Sequence, residues 1–333
     1  MSRAGACAAF TALVVAVGAG PVEAYLKLGT TFDGRTLTLR WARTPIRYFV
    51  ADRGVPEVSA SQLRTAAERA FQAWQDVPAS SIAFESVGFT SAEPSGEDGV
   101  VTIGFESHPE LERILGSTAF VVDVITGEIV EADIVLNSAF PWSVAPEGQE
   151  GRFDVESIAV HEIGHLIGLG HSLLGETELS AGRRRVVGAA AAMFPIAFSA
   201  GVLEGRKLRA DDVAGASDLY PASGLAGRLG SVRGRVTREG AGVLGAHVVA
   251  LATSTGALVG GFTLTPAGDF VVAGLEPGTY ILRVEPLDDA APESFFSPSV
   301  APDTDFGVAY AERLAFVPAG GTGASVDIRV RSR

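Results

Sequence analysis

The chain has 333 residues, 47% of them hydrophobic, and its 26 basic and 39 acidic residues give a formal charge of -13. This length and composition suffice for two domains with packed cores, and they exclude a disordered protein. A negative charge of this size repels a phosphate backbone, so we expect no nucleic-acid partner.

The N-terminus carries Arg3 ahead of an apolar run that ends in small residues. This pattern predicts a signal peptide over residues 1–24, followed by a short N-terminal segment over residues 25–41. The apolar run is short for a membrane span, so we favour export over the alternative of a retained anchor. We therefore expect a secreted protein without a membrane span after signal removal. The only cysteine, Cys7, lies in the signal, so the exported chain would contain no disulfide.

Strands and helices alternate in the next part of the chain. Apolar residues recur at three- and four-residue intervals over residues 59–77, which predicts an amphipathic helix. Asp154 is a favourable N-cap for a second helix, and a third helical pattern covers residues 208–220. Strand-like runs occupy residues 44–51, 81–87, 99–105, 117–124 and 128–136.

From about residue 231 the pattern changes to short β-like runs separated by turn residues at roughly ten-residue spacing. We therefore expect an all-β sandwich over residues 229–333. A Gly-rich linker over residues 222–228 would join it to a first domain over residues 42–221. The C-terminal part shows no second constellation of chemistry-bearing residues.

Three of the five histidines lie in the stretch HEIGHLIGLGH, residues 161–171. On a helix, His161 and His165 project from one face, because residues four apart differ by about 40° of rotation. A continued helix would turn His171 away, so we expect the helix to stop and Gly168 to let the chain reverse. The three imidazoles would then bind one ion. The alternative is a metal-free helix with incidental histidines.

Three neutral imidazoles leave a fourth tetrahedral position open, which is typical of a catalytic zinc site. Zinc can lower the pKa of a bound water towards about 7 and can polarise a carbonyl. Glu162 follows the first histidine, where its carboxylate can take a proton without being a ligand. The sequence therefore predicts one catalytic zinc ion, with His161, His165 and His171 as ligands and Glu162 as general base.

The full pattern H-E-x-x-H-x-x-G-x-x-H resembles the zinc signature of the metzincin proteases, and further residues resemble the matrixin branch. Met193 resembles the methionine of the family's Met-turn, and Pro195 matches the Met-x-Pro form of matrixins. The resemblance implies an α+β metzincin-type catalytic domain, with a twisted mixed sheet and an active-site helix. It implies endopeptidase activity on proteins or peptides. It also implies a pocket wall from Met193 to Phe198, including Pro195, that prefers an apolar residue after the scissile bond.

Other residues support the same resemblance. Asp211 and Asp212 lie at the positions of paired aspartates in the C-terminal helix of matrixins, and residues 132–136 resemble the strand beside the substrate cleft. Calcium is common in matrixins, but the sequence assigns no ligands for it. The histidines and aspartate of a second, structural zinc site have no match, and we expect His108 to be a surface loop residue.

The chain departs from the matrixin pattern in two places. A propeptide cysteine is missing, and Asp33 is a candidate for the open metal position, although an ordinary turn aspartate is the favoured interpretation. His171 and Met193 are separated by 21 residues, more than in animal matrixins. For the three arginines at residues 183–185 in this insertion, we favour a solvated loop over a site for acidic substrates.

The C-terminal part resembles the carboxypeptidase regulatory-like, transthyretin-like β-sandwich. Two functions then compete: a secreted zinc endopeptidase, and a secreted metal-binding adhesion or binding protein with a catalytically silent metzincin-like domain. The presence of Glu162 and all three histidines favours the first. The composition demands no more than a monomer, which we expect.

Overall fold

The computed structural model describes residues 9–10, 27–32, 35–180, 183–224, 227–287 and 301–333. Asp33 and, apart from residues 9 and 10, the expected signal peptide lie outside these ranges. A mixed sheet with helices occupies the first part of the described chain, and strands alone build the part after residue 229. Within the described ranges, no helix is both long enough and apolar enough to cross a membrane.

A mixed sheet forms the frame of the first part. Its strands are β1 (Ala9–Phe10), β4 (Ile46–Ala51), β5 (Phe84–Thr90), β6 (Val101–Glu106), β7 (Gly116–Val122) and β8 (Ile129–Asn137). They lie in the order β1-β7-β8-β6-β4-β5. Strands β4, β5, β6 and β8 are parallel, whereas β7 runs antiparallel to β8. Only the two residues of β1 pair with the outer side of β7 among the described strands, so most of that edge is open.

Three helices accompany the sheet: α1 (Ala60–Gln75), α2 (Val155–Leu166) and α3 (Ala210–Leu219). The helix expected between residues 59 and 77 is confirmed as α1, which Ser59 caps. Tyr48 of β4 stacks on Phe71, with ring centroids 3.8 Å apart. The indole of Trp74 is fully buried and donates a hydrogen bond of 2.8 Å to the carbonyl of Val160 in α2. Each large apolar side chain buried in this way contributes about 1.5–3 kcal/mol.

The insertion between His171 and Met193 folds as a hairpin of β11 (Gly175–Ser180) and β12 (Arg183–Ala189). The interpretation of residues 183–185 as a loop was therefore wrong, because they lie in β12. The side chain of Arg185 is nevertheless solvated, and its Nε donates to Glu178 across the hairpin at 3.0 Å. Short connections complete this part: β2 (Gly29–Phe32) with β3 (Arg35–Thr38), β9 (Trp142–Ser143) with β10 (Phe153–Asp154), and a 3-10 turn at Glu204–Arg206.

Two sheets make up the C-terminal part. Their strands are β13 (Gly230–Arg238), β14 (Ala241–Gly242), β15 (His247–Ala252), β16 (Leu258–Phe262), β17 (Asp269–Leu275), β18 (Gly278–Glu285), β19 (Ala309–Tyr310), β20 (Ala315–Val317) and β21 (Val326–Val330). The first sheet has the order β14-β13-β17 with β21 beside β13, and the second has the order β16-β15-β18 with β19 and β20 beside β18. Burial alternates along β13 and β21, so each strand turns one face to the core. This agrees with the all-β character expected, while the carboxypeptidase regulatory-like class stays a prediction.

Asp133 in β8 makes the stability of the fold depend on pH. Burial raises the pKa of Asp133 to about 8; a hydrogen bond from the amide of Thr102 opposes this, and the charges of Glu131 and Asp98 add to it. The pKa of this carboxyl is higher in the folded than in the unfolded state. The free energy of unfolding therefore falls as pH rises from about 4 through 8. The ionised form of Asp133 is therefore a cost to the fold.

Replacement of Asp133 by asparagine should stabilise the protein at high pH only. At pH 8.5 we expect the free energy of unfolding to rise by at least about 1.4 kcal/mol, the value of one pKa unit, because the amide cannot ionise. Near pH 4 wild type and variant should be alike. Urea unfolding at both pH values measures the difference, with the exposed Asp76→Asn as control. A gain of the same size at both pH values would contradict the assignment.

Candidate metal and active site

The end of α2 brings the three clustered histidines together. Asp154 caps the helix by accepting the amide of Ser157 at 2.9 Å. After Leu166 the chain reverses at Gly168, which has a φ of +103° and lies so close to Leu39 that a Cβ would be 2.3 Å from its carbonyl oxygen. One ligand atom from each of His161, His165 and His171 then lies within 4.8 Å of the others. The reversal expected at Gly168 is thus present.

Two long-range hydrogen bonds hold this reversal. The indole of Trp41 donates to the carbonyl of Leu166 at 2.8 Å, and the hydroxyl of Tyr220 donates to the carbonyl of Ile167 at 2.7 Å. The backbone amide of Trp41 donates in turn to the hydroxyl of Tyr220 at 3.0 Å. The last carbonyls of a helix lack partners within it, so these two side chains satisfy groups that the turn would otherwise leave unpaired.

Hydrogen bonding and burial prepare the histidines as neutral ligands. His161 Nδ1 donates to the carbonyl of Ala192, and His165 Nδ1 donates to the carbonyl of Leu169, both at 2.8 Å. Because a carbonyl only accepts, the proton of each ring is on Nδ1 and the Nε2 lone pair is free for a metal. Burial lowers the pKa of both histidines, which keeps them neutral. With His171 beside these two rings, the set of three imidazoles fits a zinc ion.

Glu162 lies against β7, the strand next to the two-residue outermost strand β1. Its side chain is 4% exposed, and Thr118 Oγ1 donates to Oε2 at 2.8 Å. Burial raises the pKa of Glu162 to about 7, against the opposing effect of the hydrogen bond from Thr118. Gly116 provides the room, because a Cβ there would be 2.8 Å from Oε1. Neither Thr118 nor Gly116 was singled out from the sequence, in which they look like ordinary strand residues.

Met193 packs beneath α2 and is only 2% exposed. Its sulfur lies beside Gly164, where a Cβ would be 2.1 Å from Sδ. The carbonyl of Met193 accepts the amide of Ser172 at 2.9 Å, which ties this turn to the segment of His171. Met193 thus lies directly under the helical turn between the first two histidines, and its assignment as a Met-turn methionine stays a prediction.

Asp212 holds the Met193 turn from the other side. Its Oδ2 accepts the amides of Ala192 and Arg209, both at 2.8 Å, and its Oδ1 accepts the amide of Met193 at 3.1 Å. Burial raises the pKa of this carboxyl to about 6, although the three amides oppose the shift. The sequence marked Asp212 only by resemblance, and the structure shows what the carboxylate binds.

A cavity of about 650 Å³ opens in front of the histidines. It is lined by the three histidines, Glu162, residues 116–119 of β7, and a segment that includes Phe194, Pro195 and Phe198. Met193 is beneath the site and does not line the cavity, so the expected pocket wall starts one residue later, at Phe194. The strand beside the cleft is β7 and not residues 132–136, which lie one strand further in. The sequence resemblance was wrong on this point, because local alternation does not encode strand order.

His108 follows β6 and is about 30% exposed, between Glu106 and Glu110. This position agrees with the expected surface loop residue. Within the described part of the chain, the three clustered histidines are the one group of three or more side chains arranged to hold a metal.

Comparison with known proteins identifies the same domain. Residues 40–180 match the family model of the matrixins. Over 136 residues the chain is 31% identical to matrix metalloproteinase-16 of Homo sapiens, covering 40% of this chain and 22% of that protein. Over 153 residues it is 30% identical to metalloendoproteinase 1-MMP of Arabidopsis thaliana, covering 43% of this chain and 37% of that protein. Over 202 residues it is 29% identical to metalloendoproteinase 4-MMP of the same plant, covering 57% of this chain and 49% of that protein.

A zinc-type three-histidine site on a mixed sheet defines the class of this domain as metzincin-like. Residues 40–180 are similar to the matrixin branch of the metzincins, a match that covers less than half of this chain. The matched segments span less than half the length of each of these relatives. The family uses a catalytic zinc ion, and the three histidines provide a site that fits one.

Proposed function

We propose that this protein is a secreted zinc endopeptidase that hydrolyses peptide bonds in proteins. The observation that carries the proposal is the position of Glu162, a buried carboxylate adjacent to three clustered histidines and lining the same cavity. His161, His165 and His171 would hold the zinc ion. When bound, zinc would polarise the scissile carbonyl and make a water molecule more acidic.

The protein's own groups would carry the proton and position the substrate. Glu162 would accept a proton from the attacking water and deliver it to the leaving amine, while Thr118 fixes its carboxylate through Oε2. Beyond the two residues that pair with β1, the outer side of β7 has no strand partner among the described residues and could pair with an extended peptide, as sheet edges do in peptide recognition. The substrate would then cross the cavity in front of Glu162.

Apolar side chains, among them Ile158, Phe194 and Phe198, line the cavity together with the histidines. We therefore propose a preference for an apolar residue directly after the scissile bond, as burial of a charge among such side chains is unfavourable. Cleavage of a peptide library, with products sequenced by mass spectrometry, measures this preference. Dominance of charged residues at that position would contradict it.

We also propose the domain limits of residues 42–221 and 229–333, a linker over 222–228, export after removal of residues 1–24, and a monomer. Calcium sites stay a prediction without assigned ligands. The competing function, a metal-binding adhesion protein that does not cut, requires a defect in the site. The described residues contain Glu162 and the complete set of histidines, which favours the peptidase.

Metal removal tests the proposal directly. Purified protein treated with a strong chelator should lose more than about 95% of its casein hydrolysis, because three imidazoles alone do not activate water. One equivalent of zinc should restore it, and magnesium should not, since neutral nitrogen ligands suit zinc and not magnesium. Activity that survives chelation, with zinc absent by elemental analysis, would rule out the zinc mechanism.

A further inference from the structure

The C-terminal sheets pack against the segment that follows the third histidine. Leu174, three residues after His171, forms a buried apolar cluster with Ala191 and with Val249 of β15. Ala191 lies two residues before Met193. The C-terminal part therefore contacts both chain segments that flank the β11–β12 hairpin, and each leads into the metal site.

A buried carboxylate joins the same two parts. Asp211, at the start of α3, is 3% exposed, and its Oδ1 accepts the amide of Gly260 in β16 at 2.8 Å. A side-chain hydrogen bond connects Asp211 to Ser172, the residue after His171. Asp211 thus links the edge strand of a C-terminal sheet to the segment that carries the third histidine.

Gly260 permits this close approach because it has no side chain. A Cβ at this position would be 2.8 Å from Nε2 of His247 and 3.4 Å from Cγ of Leu174. His247 is 1% exposed and Leu174 is 4% exposed, so neither has free space to move into. Leu174 would only be in ordinary contact with such a Cβ, but the overlap with the buried His247 would force β16 to shift and would disturb the bond from the amide of Gly260 to Asp211.

We propose that Asp211 and Gly260 are positioning residues for the metal site, through which the C-terminal sheets hold His171 in place. The proposal rests on the proposed zinc site, and it makes the C-terminal part a component of that site instead of an independent accessory. Residues that orient metal ligands typically change metal affinity 10–100-fold when altered. The C-terminal sheets would affect zinc affinity by orienting His171, without contacting the ion themselves.

The Gly260→Ala variant of the full chain tests the proposal. We expect its zinc affinity, measured by chelator competition, to fall at least about tenfold. The absorption spectrum of the cobalt-substituted protein should change, because the third imidazole is displaced. Gly307→Ala is the matched control, since nothing lies within 4 Å of a Cβ at Gly307 in the same part of the chain. Wild-type affinity and spectrum in folded Gly260→Ala would overturn the proposal.

A second variant decides the matter if Gly260→Ala does not fold. Asp211→Asn keeps the size of the side chain and removes its charge, and Asp76→Asn, at an exposed position after α1, is its control. We expect at least about threefold weaker zinc binding for Asp211→Asn alone, and unchanged binding would overturn the proposal. Both readouts are independent of hydrolysis. A wild type that binds zinc but cuts nothing would refute the proposed function and leave this test valid.

Discussion

Replacement of Glu162 by alanine or glutamine should lower kcat/KM for peptide hydrolysis by about 10²–10⁴-fold, the usual contribution of a general base. The zinc content should stay at that of the wild type, because Glu162 is not among the three clustered ligands. Glutamine preserves the shape of the side chain and an oxygen for the hydroxyl of Thr118, so its loss of rate would report the missing proton acceptor.

For wild type and variants, initial rates are measured on casein and on a quenched fluorescent peptide. The zinc content of each protein is determined by elemental analysis. Glu178→Gln on the exposed hairpin is a control for the substitution itself, and its rate should match the wild type. Equal rates for wild type and Glu162→Ala, at equal zinc content, would defeat the assigned mechanism. Loss of rate together with loss of zinc would point to a disturbed site and not to the base.

Replacement of Asp212 by alanine should lower the free energy of unfolding by at least about 3 kcal/mol. The change leaves the amides of Ala192, Met193 and Arg209 without their acceptor, and each unsatisfied buried donor costs about 1–3 kcal/mol. The turn also carries the carbonyl that fixes His161, so zinc affinity should fall as well. Asp212→Asn should lower the free energy of unfolding by less than Asp212→Ala. Its remaining oxygen can still accept, but its NH₂ group would face backbone amides that also donate.

Urea unfolding of the metal-free proteins at pH 7.5 separates this effect from zinc binding. Glu85→Ala is the control: its carboxylate is about half exposed and pairs with the exposed Arg47 on the neighbouring strand. A partly exposed ion pair contributes about 1 kcal/mol or less, so the control should be nearly neutral. Similar losses in both variants would show that Asp212 has no special role in the Met193 turn.

Local rules predicted the parts of the site that neighbouring residues determine. Apolar periodicity marked α1, Asp154 marked the start of α2, and Gly168 marked the reversal that brings His171 back. These features depend on caps, periodicity and backbone freedom within a few residues. The spacing of the three histidines and of Gly168 was therefore enough to predict that their side chains meet.

Contacts between distant segments escaped the same rules. The sequence did not reveal that β7 is the strand beside the cleft, because strand order depends on pairing across the sheet. It did not show Thr118 at the carboxylate of Glu162 or Gly260 at Asp211, since each pair joins residues more than 40 positions apart. The sequence also predicted a loop at the arginines of β12. Three consecutive charged residues are typical of solvated loops, and this exposed hairpin has little of the apolar alternation that indicates a strand.

The bond between Trp41 and Tyr220 bears on the order in which the protein is made. These residues are 179 positions apart, and together they secure the carbonyls at the end of α2. A ribosome releases the N-terminal residues of a nascent chain first, so Trp41 emerges long before its partner exists. The reversal at Gly168 gains its complete set of bonds only after residue 220 has left the exit tunnel. An incomplete nascent chain therefore carries the HEIGH helix sequence without the long-range bonds that hold the end of α2.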